Sequence, residues 1–218
     1  MNVIVPKAHH LVDTDAVVLR DGRSAELRLL RTSDRSDVTA LFESCSAENL
    51  YTRFFTGGHS VVTQHLDHLF DTGSGTLSYV LFSEGRLLGI ADVEPCGEAT
   101  AEIAFLVADD AHSLGIATLL LERAAEDGRA TGVDWFVADV LAVNRQMLLV
   151  FADAGFSLER HTDHGEVSFR MSTRLDEVAR SASAARHAAV LTIVHADDPG
   201  RTRPSDPAST RSSGGICP

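Results

Sequence analysis

Residues 100–121 read TAEIAFLVADDAHSLGIATLLL. A mostly apolar run gives way, within a few residues, to a segment with helical periodicity. That junction constrains the fold more than any other feature of the chain. A strand as apolar as residues 100–107 is buried on both faces and belongs in the middle of a sheet. The helix behind it, LGIATLLLERAAEDGRATG, carries Ile116, Leu119, Leu120 and Ala124 on one face, so it must fold back onto that sheet. Gly128 or Gly132 can end it. At the joint stands Gly115, a residue that an apolar helix does not need. A helix N-terminus presents unpaired N–H groups and a partial positive charge, and a residue without Cβ lets a ligand come close. The backbone amides of Ser113, Leu114, Gly115, Ile116, Ala117 and Thr118 are therefore a candidate anion cradle.

The flanking segments supply the rest of a mixed sheet. AVVL and AELRLL around Asp21-Gly22, LSYVLF and RLLGIADVE around Glu84-Gly85, and FSLERH and EVSFRM around Asp163-His164-Gly165 read as hairpins. DWFVADVL is a further strand. Ser33 can cap a helix running to about Cys45, SAENLYTRFF reads as a short helix, and VTQHLDHLF as another. Asn144 can cap a helix bearing Met147, Leu148, Val150, Phe151 and Ala154, closed by Gly155. Helices interleave with strands, so the class is α/β (α+β). Residues 1–14 are a lead segment, and 15–173 the folded domain. Residues 174–195 are Ala-rich and can form one helix. Residues 196–218 hold Pro, Ser, Gly and Asp with little to bury, and read as disordered.

Charge and cysteine usage exclude several classes. The net charge is −12, with 31 acids against 19 bases, which disfavours nucleic-acid binding. Cys45, Cys96 and Cys217 are too far apart for a CxxC motif, so neither a disulfide framework nor a structural zinc site is expected. The ten histidines are scattered and read as surface residues. His65 and His68 share a helix face, but nothing completes a metal site. The start, MNVIVPKAHH, lacks the apolar run of a signal peptide, and no segment approaches the roughly 20 apolar residues of a membrane span. A cytoplasmic location is expected.

Three motifs occur in order. His112-x-x-Gly115-x-Ala117 stands at the strand-to-helix junction, Ala101-Glu102-Ile103-x-Phe105 on the strand before it, and Asn144, Phe151, Gly155 and Phe156 follow on the later helix. Together they resemble the GNAT superfamily of N-acetyltransferases over residues 15–173. SAENLYTRFF and VLAVNRQMLLVFADAGF further resemble the bacterial Pat-type protein lysine acetyltransferases. The resemblance implies the GNAT fold, a mixed central β-sheet of six to seven strands flanked by about four helices. It implies acetyl-CoA as cofactor, with its pyrophosphate on the 113–118 cradle. Its pantetheine arm would lie along Leu106 and Val107, and Asn144 and Phe151 would border it. His112 stands where the family usually has Arg or Gln, and neutral imidazole offers a single donor.

The implied reaction is acetylation of an amine, and of a protein lysine if the Pat likeness holds. A lysine has a reference pKa near ~10.4 and must lose a proton before it attacks a thioester. Glu102, among apolar neighbours on the central strand, matches the family's general base, and a partly dry cleft would suit it. Glu94 and Asp139, on neighbouring strands, are alternative bases or substrate contacts. Tyr51 is a candidate substrate-side hydroxyl. Many family members place a Tyr on the helix after the Asn. Here Phe151 stands there, so a departing thiolate leaves unprotonated or takes its proton from water. The expected partner is a protein carrying an acceptor lysine, such as an acyl-CoA synthetase. Acetylation of a small amine or antibiotic, and acyl-CoA sensing without turnover, are the other two readings.

Overall fold

Two strands, β1 (Thr14–Val18) and β2 (Ser24–Leu29), form the first hairpin across Asp21-Gly22 in the computed structural model, which describes residues 14–56 and 59–175. Three helices follow: α1 (Arg35–Ser44), α2 (Ala47–Phe54) and α3 (His59–Leu69). Next come β3 (Leu77–Ser83), β4 (Arg86–Gly97) and β5 (Thr100–Val107). Then α4 (Ile116–Thr131), β6 (Trp135–Leu141) and α5 (Arg145–Asp153) lead to a last hairpin, β7 (Phe156–Asp163) and β8 (Glu166–Leu175). One sheet holds all eight strands in the order β1-β2-β3-β4-β5-β6-β8-β7. That is more than the six to seven implied by the resemblance, and it matches the three hairpins and two further strands read along the chain. The helices among the described residues number five rather than about four. Residues 1–13 and 176–218, with most of the expected 174–195 helix and the whole 196–218 tail, lie outside the described residues. Arg174 and Leu175 belong to β8 rather than to a helix.

Every neighbouring pair is antiparallel except β5 and β6. Those two central strands are paired only through Thr100↔Trp135, Ala101↔Phe136 and Glu102↔Val137. Beyond that point β5 continues to Val107 and β6 to Leu141 without pairing, so the sheet opens into a wedge. Side chains alternate along a strand, which separates the two faces. Asp92 of β4 meets Arg53 of α2 and His65 of α3, and Glu94 meets His68 of α3. Glu102 pairs in register with Glu94, so it opens on the same face, the one covered by α2 and α3. Phe105, one step out of phase, packs on the other face against Phe151 of α5.

Local ties hold the helices over the sheet. The β2-to-α1 corner is fixed by Arg28, which forks onto Asp34 at 2.6 and 3.1 Å while the Arg31 amide donates to the same carboxylate at 2.8 Å. Asp34 thus turns inward, and α1 starts after a short 3-10 turn at Thr32–Asp34 rather than from a Ser33 cap. On the other side α4 lies very close to β4. A Cβ on Gly89 would stand 2.7 Å from Ile116 Cγ2, so only glycine lets the first turn of α4 seat there. Arg123 in α4 bonds Asp127 one turn on at 2.8 Å and reaches across to Asp15 of β1. His65 departs from the surface reading. Its ring lies between Phe42 and Phe54, with centroids 5.7 and 5.2 Å away.

Candidate active site

The wedge between β5 and β6 forms the floor of a cavity of about 910 Å³, in the size range of ligand sites. Its wall comes from both faces of the sheet. From one side it takes Glu48, Asn49, Thr52, Arg53, Phe54 and Phe55, in or just after α2. From the other it takes the start of α4 and the exposed edge of α5.

The cradle is built mainly of backbone. Ser113 has φ 66° and Gly115 φ 84°, both left-handed. Gly115 is the N-cap of α4, so the helix begins at Ile116, two residues later than the Leu114 start read from the sequence, and no side chain caps it. Its carbonyl accepts from the Leu119 amide at 3.0 Å, the first bond of the helix. The amides of Ile116, Ala117 and Thr118 therefore lack intrahelical acceptors, which is what an anion site needs. Two aspartates precede this point, and both are engaged elsewhere. Asp109 accepts from the Ser46 amide at 2.7 Å and from Asn49 Nδ2 at 2.6 Å. Asp110 pairs with Arg86 at 2.6 Å. Burial opposes ionisation of Asp109, but the bonds from Ser46 and Asn49 together outweigh it, so its carboxyl stays below the ordinary carboxylate range.

Of the residues expected at the cofactor, Val107, His112, Ser113, Gly115, Ile116, Ala117, Thr118, Asn144 and Phe151 line the cavity. Leu106 is buried in register with Ile90 of β4, and Leu114 stands behind the cradle with its carbonyl accepting from the Arg20 amide at 3.1 Å; neither lines it. His112 turns back on the strand, where its Nε2 lies 3.2 Å from the Val107 carbonyl. That carbonyl also accepts from Asn49 Nδ2 at 2.8 Å. Asn144 caps α5, its Oδ1 accepting from the Met147 amide at 3.1 Å. Phe151 is buried, stacked on Phe169 with centroids 4.8 Å apart.

Of the acceptor-side candidates, Glu102 and Asp139 line the cavity, whereas Tyr51 and Glu94 do not. Glu102 is exposed, so the half-dry environment expected for it is replaced by an open position at the apex of the wedge. Asp139 accepts from Ser168 Oγ at 2.6 Å. Tyr51 is exposed on α2, and Glu94 lies 3.5 Å from His68.

Sequence reading missed the group beneath α2. Asp92 Oδ2 accepts from Arg53 Nη2 and lies 3.0 Å from His65 Nε2, and Oδ1 accepts from Ser78 Oγ at 2.8 Å. Burial disfavours the Asp92 carboxylate; the hydrogen bond from His65 and the charge of Arg53 outweigh it and keep the group below its ordinary range. Arg20 and Arg145, which also line the cavity, were missed too.

The residues present fit a nucleotide-bearing thioester. The free edges of β5 and β6 can accept an amide-containing arm by strand addition, and the glycine-capped α4 can accept phosphate. The comparisons agree. The acetyltransferase (GNAT) family model matches residues 45–156. The GNAT domain of S. lividans PAT is 28% identical with a TM-score of 0.64, over 73% of this chain and 96% of that one. The fold recurs in yncA from Salmonella typhimurium, a putative acetyltransferase solved with acetyl-CoA (17% identity, TM-score 0.55, 70% of this chain and 95% of that one). It recurs in spermidine N-acetyltransferase from Vibrio cholerae, solved with CoA and spermine (15%, 0.52, 68% and 94%). Fold and site together define an acyl-group transferase that works from a thioester cofactor. The chain belongs to the acetyltransferase (GNAT) family and is an acetyl-CoA-dependent N-acetyltransferase. Among the described residues, no helix is long and apolar enough to cross a membrane.

Proposed function

We propose that this chain acetylates a lysine side chain of a protein, with Glu102 as general base. The observation that carries the reading is the likeness to the S. lividans PAT domain along nearly that domain's whole length. The position of Glu102 supports it. An exposed carboxylate at the apex of the wedge can be reached by a side chain delivered from a second protein. Besides Glu102, the acids Glu48, Asp109, Asp139 and Asp153 line the cavity against Arg20, Arg53 and Arg145, and Arg53 is paired with Asp92. That balance favours a cationic acceptor.

Acetyl-CoA, when bound, supplies an activated acetyl thioester. The amides at the start of α4 hold its pyrophosphate, and Phe151 with Phe105 walls the wedge on the α5 side. Glu102 accepts the proton that the acceptor ammonium must lose, and passes it to solvent through the open mouth. The amine nitrogen would bond to the acetyl carbonyl carbon as the thioester C–S bond breaks. Phe151 offers no proton and, among the described residues, no tyrosine lines the cavity, so the CoA thiolate would leave as the anion or take its proton from water.

Thiol release measured with a protein acceptor, such as an acyl-CoA synthetase, tests this directly. Glu102→Gln should lower kcat by roughly 10²–10⁴ and leave CoA affinity unchanged. Full activity in that variant removes Glu102 as the base. Turnover on spermidine or other small amines, with none on any protein, replaces the substrate claim. Tight CoA binding without turnover on any acceptor identifies a sensor.

A further inference from the structure

His112 occupies the position at which related enzymes usually carry an arginine or glutamine, yet its ring is committed to the Val107 carbonyl. The cradle thus lacks the side-chain cation expected from its own loop. A different cation fills the gap. Arg20, from the turn of the β1–β2 hairpin, lines the cavity. Its side chain lies over Gly115, with Cγ and Nε each 3.4 Å from where a Cβ on that glycine would stand. The hairpin is fastened there by the main-chain bond from the Arg20 amide to the Leu114 carbonyl.

We infer that Arg20 is the cationic ligand for the cofactor's pyrophosphate, standing in for the residue at position 112. The inference rests on acetyl-CoA binding at the α4 N-terminus. Three observations support it. Arg20 is exposed and makes no ion pair among the described residues, so its guanidinium is available to an arriving anion. The nearest hairpin acid, Asp21, is taken by Arg23 at 2.8 Å. Asp109 and Asp110, the acids beside the cradle, are likewise engaged. A guanidinium presents a planar fork suited to two phosphate oxygens, which a single imidazole N–H cannot match. Gly115 permits the left-handed turn, and the arginine side chain lies across it at van der Waals distance.

Calorimetric titration of the full chain separates this from other roles. Wild type, Arg20→Ala, Arg20→Lys and His112→Ala are each titrated with CoA, with dephospho-CoA and with pantetheine, which lacks all phosphates. Arg20→Ala should weaken CoA and dephospho-CoA alike by about tenfold and leave pantetheine unchanged. Arg20→Lys should recover part of the loss, and His112→Ala should lose less than Arg20→Ala. CoA affinity should depend less steeply on salt in Arg20→Ala than in wild type, because one screened charge pair is removed. Unchanged CoA affinity in Arg20→Ala overturns the inference, as does an equal loss for pantetheine, which would mark a structural role. A loss seen for CoA but not dephospho-CoA overturns it in favour of the 3′-phosphate. A wild-type chain that binds no CoA overturns the cofactor placement itself, and is distinguished by that control.

Discussion

The two sides of the cavity are built from different materials. On the α4 and α5 side the wall is backbone and hydrocarbon: left-handed residues at 113 and 115, open amides of α4, and the Phe105–Phe151–Phe169 stack. On the α2 side it is polar: Glu48, Asn49, Thr52 and Arg53 line it, Arg53 is held from behind by a buried polar group, Asp92 with His65 and Ser78, and the exposed Glu102 lies beyond. A cofactor shared by a whole family can be gripped by features that any apolar sequence with a well-placed glycine can make. An acceptor that differs between enzymes must be met by particular side chains. The comparison predicts that damage to the polar side is felt in stability and turnover, and damage to the backbone side in CoA affinity.

The largest effect is expected at Asp92. Removing one partner of a buried ion pair typically costs about 3 kcal/mol or more, because Arg53 is left buried without its carboxylate. Asp92→Asn should lower the urea midpoint accordingly at pH 7. The pH dependence has a definite sign. The folded state holds the Asp92 pKa below its unfolded value near ~3.9, so its contribution is complete above that value. It is lost as pH falls through the lower folded value. The stability gap between wild type and Asp92→Asn should therefore close on acidification. A gap that stays constant down to pH 3 would show that the charge contributes nothing and that shape alone matters there.

Gly115 tests the opposite side. At φ 84° a Cβ is strained by about 1–2 kcal/mol, and it would stand in van der Waals contact with the Arg20 side chain. Gly115→Ala should weaken CoA about tenfold, in line with that strain, while the kcat of the saturated enzyme changes little. A fall in kcat with CoA affinity intact would break the division of labour between the two sides.

The same division explains what could be read from the chain. Gly115, Asn144 and Phe151 were legible because their roles are local: a turn, a cap, and an apolar face at helical spacing. The hairpins around residues 21–22, 84–85 and 163–165 were legible for the same reason. The polar group was not. Arg53, His65 and Asp92 belong to three elements, and nothing in their separate neighbourhoods says that they meet. Arg20 was hidden inside a turn signal, where the following Asp-Gly pair explains the local sequence completely. Asn49 lay within a segment recognised by likeness, yet its bond to Val107 depends on α2 docking against the end of β5. Glu102 was expected at the site from its motif, but its exposure depends on β6 parting from β5 just past it.

The smallest effect should appear at Asn144, where structural and binding roles can be separated within one residue. Its Oδ1 caps α5 through the Met147 amide, and among the described residues no acceptor is bonded to its Nδ2, although the residue lines the cavity. Aspartate retains an oxygen for the cap and is an equally good N-cap residue, whereas alanine removes it at a cost of about 1 kcal/mol. Asn144→Ala should therefore lower stability by about that amount, and Asn144→Asp should not. If Nδ2 also serves the cofactor, Asn144→Asp should weaken CoA several-fold while its unfolding curve matches wild type. Equal CoA affinity in Asn144→Asp and wild type would confine Asn144 to the cap. The α5 border of the cavity would then rest on hydrocarbon and backbone alone, which would sharpen the contrast with the polar side.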